Sequence, residues 1–253
     1  MSSPAFILPH ARLRTDYFIF ADAPAQSGPL AVALVMDGDD QFEAAREAAA
    51  ALRRAEELPP LLLIGIGYGG SYRAPKNRRA RDYTPTHPAD EPIETGGAPE
   101  FLEFLQSELL PALRQRYEIK SDDIALVGHS LGSLFGLYAL SRPDAPFRRY
   151  LVSSPSIWWD NRSALPLLEA AAGQERLPAK AFFSVGADDT PSMRGDLDLL
   201  ERQLSAKPLR NLEYVFKRFE GKDHYNALPA AFRAGFRWLY SSMARPRQTP
   251  VSA

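Results

Sequence analysis

Apolar residues recur along this chain in two alternating patterns. Short, nearly unbroken runs end in turn residues: PLAVALVMDGDD (29–40), PPLLLIGIGYGG (59–70), DIALVG (123–128), RYLVSSP (149–155) and KAFFSVGADD (180–189). Runs of this kind are strands buried on both faces. Between them lie segments with helical spacing. QFEAAREAAAALRRAEE places Phe42, Ala45, Ala49 and Leu52 on one stripe. From Ala98, a helix carries Phe101, Leu105, Leu109, Leu113 and Tyr117 at steps of four, with a kink expected at Pro111. A last helix over about 226–243 turns Phe232, Phe236, Leu239 and Met243 inward. DYFIFAD reads as the second arm of a hairpin begun near Phe6, and LEYVFKRFEG as the final strand. Strands alternating with helices predict one α/β domain over 1–243, a mostly parallel central sheet with helices on both faces, followed by a loose tail at 244–253. The stretch from Gly69 to Gly97 has no periodicity.

Within this frame, DDIALVGHSLGSLFGLYAL (122–140) sets Gly128, Ser130 and Gly132 in a G-x-S-x-G pattern between a strand and a helix. A bare match is common by chance. In this context it describes a sharp turn that lifts a serine hydroxyl above the sheet edge, with small residues two before and two after to avoid collision. Ser130 is therefore the candidate nucleophile, and the N–H of Leu131 a donor to a developing oxyanion. A second donor should come from the loop after an earlier strand. LVMDGDDQF supplies it, and the backbone of Asp39 is the candidate, while Asp37, Asp39 and Asp40 also suit a helix N-terminus.

Four histidines could serve as the base. His129 adjoins the serine and should point away from it, His10 lies in the first strand region, and His87 in the Pro-rich loop. His224, in FEGKDHYNAL after the last strand, occupies the base position of the order Ser…Asp…His found in α/β hydrolases. The loop after the penultimate strand offers Asp188 and Asp189 as the third member. Asp189 is preferred, and the other is expected to be a solvated turn residue.

The segments MDGDDQF, RDYTPT, FLEFLQSELLPALRQRY, VGHSLGSLFGLYAL, SSPSIWW and GKDHYNAL together resemble the putative-esterase family of α/β hydrolases, over about residues 10–240. The likeness is nearest to bacterial siderophore trilactone hydrolases, the enterobactin, salmochelin and bacillibactin esterases. It implies Ser130 as nucleophile, His224 as base, and a cleft contributed by RDYTPT and SSPSIWW. The broad family also includes S-formylglutathione hydrolase, feruloyl esterases and mycolyltransferases. Two departures stand out: Ser133 replaces a frequent glycine, with slight repacking expected, and the family's acid is variable, so a Ser–His dyad stays open.

Composition narrows the classes without choosing among them. Hydrophobic residues make up 45% and charged residues 24%, a globular balance, and the net charge of −1 gives no pull towards nucleic acid or anionic lipid. With no cysteine there is no disulfide and no thiolate nucleophile or ligand, and no metal or cofactor is expected. No apolar run approaches the ~20 residues of a membrane span. MSSPAFILPHARL lacks the charged start and long apolar core of a signal peptide, so a cytoplasmic location is expected. The one local charge imbalance is SYRAPKNRRARDYTPT, with Arg73, Lys76, Arg78, Arg79 and Arg81. It is either a solvated loop or a recognition surface for an anionic, aromatic ester, with Arg81, Tyr83 and Arg78 as the best candidates. Of Trp158 and Trp159, one should pack in the core and the other line the cleft; Trp159 is taken for the cleft. The expectation is a serine carboxylic-ester hydrolase of the siderophore-esterase type. Alternatives are a feruloyl or acetyl esterase, an S-formylglutathione hydrolase-like thioesterase, an acyltransferase, or a non-catalytic binding protein. The oligomeric state is not written in the sequence.

Overall fold

The computed structural model describes residues 3–25 and 28–241. Among the described residues eight strands form one sheet: β1 (Phe6–His10), β2 (Thr15–Asp22), β3 (Leu30–Val35), β4 (Leu61–Gly67), β5 (Ile119–His129), β6 (Arg149–Ser153), β7 (Ala179–Gly186) and β8 (Leu212–Phe219). Their spatial order is β1-β2-β4-β3-β5-β6-β7-β8. The expected hairpin is present, with His10 opposite Thr15, and β2 is antiparallel to both of its neighbours. All other pairings are parallel. The sheet therefore ends in β1 on one side and β8 on the other.

Side-chain alternation divides the core between the two faces. Val32 and Leu34 of β3 and Leu126 of β5 join Phe101, Leu134, Leu168 and Leu197 of the helices on one face. Ala31, Ala33, Val35 and Val127 join Phe42, Leu52, Phe232 and Phe236 on the other. The second face is covered by α1 (Gly38–Arg54) and α9 (Leu228–Leu239), which pack against each other. The first is covered by α3 (Ala98–Phe104), α4 (Leu110–Arg116), α5 (Leu131–Leu140), α7 (Ala164–Ala171) and α8 (Pro191–Ala206). Phe232, Phe236 and Leu239 are fully buried as the periodicity requires. Met243 and the tail lie outside the described residues.

Two segments depart from the periodic reading. The kink expected at Pro111 is a π-helical turn at Leu105–Leu109, in which the Leu110 N–H reaches back to the Leu105 carbonyl. One extra residue there absorbs the proline, which sits in the first turn of α4 where its missing N–H costs least. Phe101, Leu105, Leu109 and Leu113 all remain buried. The aperiodic stretch after β4 contains one short helix, α2 (Arg79–Tyr83), and the loop after β6 another, α6 (Trp159–Arg162).

After β3 the chain crosses to β4 on one side, and β5 then returns to the other side of β3. The loops leaving β3 and β5 thus diverge, which opens a crevice at the carboxyl ends of these strands. Asp37–Asp39 and Ser130 lie there.

Candidate active site

β5 ends at His129 and α5 begins at Leu131, so Ser130 is a one-residue junction, with φ 58° and ψ −121°. A non-glycine residue in this region is strained, and it persists only where its surroundings fix it. Here the Ser130 N–H donates to the Ser153 carbonyl (3.0 Å), and the Ser130 carbonyl accepts from Ser133 (3.0 Å), Leu134 (3.1 Å) and Ser156 (3.2 Å). A Cβ on Gly128 would stand 2.3 Å from the Gly132 carbonyl oxygen, so only glycine closes this turn. The Ser133 hydroxyl donates to the Ser153 carbonyl (2.9 Å) and accepts from the Ser153 N–H (2.8 Å). Where slight repacking was expected, the serine stitches α5 to the end of β6.

His224 sits in the loop between β8 and α9, with Nδ1 2.9 Å from Asp189 Oδ2. The Asp189 side chain is fully buried, and its other oxygen accepts from the Thr190 N–H at 2.7 Å. Asp188 is exposed, and its N–H ties the two loops together through the Lys222 carbonyl (2.9 Å). Asp223 turns back into its own loop: its carboxylate accepts from the N–H groups of Asn226 and Tyr225, which hold its pKa below the usual range. Leu131 and Asp39 lie in the first turns of α5 and α1, where backbone amides have no intrahelical acceptor. The two turns touch, since a side chain on Gly132 would press on Met36 Cβ (2.9 Å) and Asp37 Oδ2 (3.4 Å).

A family model described as Putative esterase matches residues 12–239. The chain belongs to this esterase family. Among its relatives, the siderophore triacetylfusarinine C esterase of Aspergillus fumigatus is 34% identical over 68% of this chain, a match that spans 57% of that relative's length. The ferri-bacillibactin esterase BesA of Bacillus subtilis is 27% identical, with 94% of this chain and 92% of that protein covered. The crystal structure of the BES protein from Bacillus cereus superposes with a TM-score of 0.83 at 29% identity, covering 92% of this chain and 93% of that one.

In this member of the esterase family, the hydrogen-bond partner of the Ser130 hydroxyl is the Ser156 hydroxyl, at 3.3 Å. Sequence reasoning passed over Ser156; the only signal was its place in SSPSIWW, a loop leaving a strand at the same edge. His129 is buried, with its ring 4.7 Å from that of His224 and its Nδ1 3.3 Å from Ser153 Oγ. Burial above all, then the nearby His224 and Arg79 charges, lowers its pKa to about 3, so it backs the base as a neutral ring. The remaining histidines are engaged elsewhere, His10 with Glu108 (2.9 Å) and His87 with Thr95 (2.7 Å).

The residues expected to touch substrate lie differently. Arg81 is buried, and it donates to Asp82 (2.7 Å), the Leu13 carbonyl (2.7 Å) and Thr15 (3.0 Å). A buried guanidinium needs such partners, and these lie in the core below the cleft. Tyr83 is also fully buried, and its hydroxyl accepts from the Asp37 N–H (3.0 Å). Trp159 is the core tryptophan, donating to the Thr86 carbonyl (3.3 Å), whereas Trp158 is 49% exposed. Arg78 is exposed, with Nη1 on the Pro75 carbonyl of its own loop. Arg79 forms a fork on Asp37, Nε to Oδ1 at 2.8 Å and Nη2 to Oδ2 at 2.9 Å. Among the described residues no group of three or more His, Cys, Asp or Glu side chains could hold a metal ion. No helix among them is long and apolar enough to cross a membrane.

Proposed function

We propose that this chain is a serine carboxylic-ester hydrolase of the siderophore-esterase type. The observation that carries the reading is the strained Ser130 junction at the crevice, in the same edge as a His224 whose Nδ1 is held by a buried carboxylate. In the reaction, Ser130 Oγ leaves Ser156 and attacks the ester carbonyl while His224 Nε2 takes its proton. Asp189 keeps the proton on Nδ1 and stabilises the imidazolium. The N–H groups of Leu131 and Asp39 receive the oxyanion. The tetrahedral centre collapses, His224 passes its proton to the leaving alcohol, and water activated by the same nitrogen then releases the acid from Ser130. The 3.3 Å contact between the Ser130 and Ser156 hydroxyls is the resting partner that Ser130 exchanges for His224, since catalytic hydrogen bonds often tighten only when substrate binds.

The substrate class is an anionic, aromatic ester. Support comes from the relatives, named as esterases of siderophores, and from the rim. Tyr72 (41% exposed), Trp158 (49%) and Tyr225 (83%) stand on the loops after β4, β6 and β8, all at the sheet's carboxyl edge. Arg73, Lys76 and Arg78 add exposed cations on the first of these loops. Stacking surfaces with nearby cations suit catecholate esters. A cytoplasmic location belongs to the same proposal. The test is a panel of cyclic and linear catecholate esters against a neutral aryl ester, with Ser130→Ala as control. Preference for the catecholates, lost in high salt where exposed charges are screened, supports the reading. Equal turnover of all three favours a general or feruloyl-type carboxylesterase, and turnover that survives in Ser130→Ala overturns the mechanism.

A further inference from the structure

Helix α2 opens at Arg79 and runs into the RDYTPT motif, and two of its residues, Arg79 and Tyr83, meet on Asp37 at the entrance to α1. Asp37 has φ 54° and ψ 48°, the left-handed region, immediately before the helix that carries the Asp39 amide. Its side chain has no exposure. Two of its three polar groups are held from α2, the carboxylate by the Arg79 fork and the N–H by the Tyr83 hydroxyl, while its carbonyl accepts from Asp40 and Gln41 in α1. The Gln41 amide adds a bond to Asp37 Oδ2 (3.1 Å) and reaches the Tyr72 hydroxyl (2.9 Å). The Arg79 guanidinium lies over the rings of Tyr72 (4.7 Å) and Tyr83 (5.9 Å), which fix its plane. Helix α2 is itself anchored below. Arg81 grips the β1–β2 hairpin through Leu13 and Thr15, and Asp82 accepts the hydroxyls of Tyr17 (2.8 Å) and Tyr68 (3.0 Å).

We infer that α2 is the brace of the oxyanion turn, and that Arg79 and Tyr83 are positioning residues that aim the Asp39 N–H by holding Asp37 in its left-handed conformation. The inference rests on the ester-hydrolase reading above. A turn of this kind has two soft dihedrals on either side of Asp37, and a shift of the donor by about 1 Å costs on the order of 10²-fold in rate. The fork matters more than the charge: a lysine keeps the cation but cannot satisfy both carboxylate oxygens in one plane. Arg79, one of the five cations of the basic loop, thus spends its Nε and Nη2 on the protein's own carboxylate.

The test uses Arg79→Lys and Tyr83→Phe, each assayed on a neutral aryl ester and an anionic one, with binding of an aryl boronic acid as a mimic of the tetrahedral centre. Expected for Arg79→Lys is a fall in kcat of about 10²-fold on both esters, KM within about threefold, and boronate affinity weakened in parallel with kcat. Tyr83→Phe, which removes one hydroxyl from a packed ring, should show the same pattern at about tenfold and keeps the test alive if the lysine variant does not fold. A KM that rises tenfold for the anionic ester alone, with kcat and boronate binding unchanged, overturns the brace and makes Arg79 a substrate contact. Wild-type kinetics in both variants also overturn it. If the wild-type protein hydrolyses no ester, the ester-hydrolase reading falls first and takes this inference with it; if it does and only the variants fail to respond, the brace alone is wrong.

Discussion

Two strand-to-helix turns meet at the crevice, one after β5 and one after β3. Each holds a non-glycine residue at positive φ, Ser130 at 58° and Asp37 at 54°, and each opens a helix whose first amides are unpaired within the helix. They are held by different means. The elbow is fixed by residues close in the chain and by the neighbouring strand: Gly128 against Gly132, the Ser130 carbonyl with Ser133, and Ser153 beside them. The β3–α1 turn is fixed across 42 positions by Arg79 and 46 by Tyr83. A frame built from the elbow's own glycines and the adjacent strand can carry backbone strain for the sake of one half-buried, reactive hydroxyl. A long-range frame sets a direction, and it fails when its distant partner is removed.

The largest effects should separate the two turns outright. Ser130→Gly should abolish ester hydrolysis and labelling by a fluorophosphonate. It should also raise stability in urea by about 1–2 kcal/mol, because glycine relaxes at φ 58°, ψ −121°. A destabilised glycine variant would show that the elbow stores no strain. His224→Ala should lower kcat on the order of 10²–10⁴-fold, with Asp189→Asn more damaging than Asp188→Asn; equal, mild effects of the two would point to a dyad. Asp37→Gly also suits its backbone, yet it strands the Arg79 guanidinium, whose side chain is only 16% exposed. Its expected cost, read from the urea midpoint, is about 3–5 kcal/mol. Neutral stability there would mean that the two turns are alike after all.

The effect that leaves both turns intact concerns the ring behind the elbow. Folded His129 takes a proton only near pH 3, whereas an unfolded histidine takes one near the ordinary value of 6.5. Between these values the unfolded chain binds more protons, so this contribution to stability is present above pH 6.5 and is lost as the pH falls towards 3. From pH 7 to pH 5 the loss is about 2 kcal/mol. His129→Gln should remove that slope from urea titrations at the two pH values; an unchanged slope would assign it to other groups.

The same contrast explains what could be read from the residues alone. The buried strands were legible because their apolar runs are contiguous, and the elbow because two glycines and a serine span five positions. The order of Ser130, Asp189 and His224 followed from which strand each loop leaves. Arg81 and Tyr83 were misplaced because nothing near them in sequence reveals Leu13, Thr15 or Asp37 as their partners. Trp158 and Trp159 are neighbours in an aperiodic loop, so no spacing distinguishes the buried ring from the exposed one. Pro111 signalled a disturbance but not its form, since a π turn depends on whether the apolar faces on both sides can still reach the sheet.

The sheet is open at both ends, and an open edge offers its unpaired backbone groups to any other strand. On β1 the fourth residue is Pro9, which has no N–H to give and interrupts any added ladder. On β8, Glu213 and Lys217 bring opposite charges to the rim, and Arg218 is tied down to Asp198 and Glu201 of α8. The hydrophobic middle of the sheet, including β3 and β4 with every residue buried, is thereby shielded from zippering onto another copy. Protection against strand-to-strand association in concentrated solution therefore falls to a handful of edge residues on β1 and β8, strands that lie at the two margins of the sheet and do not carry Ser130.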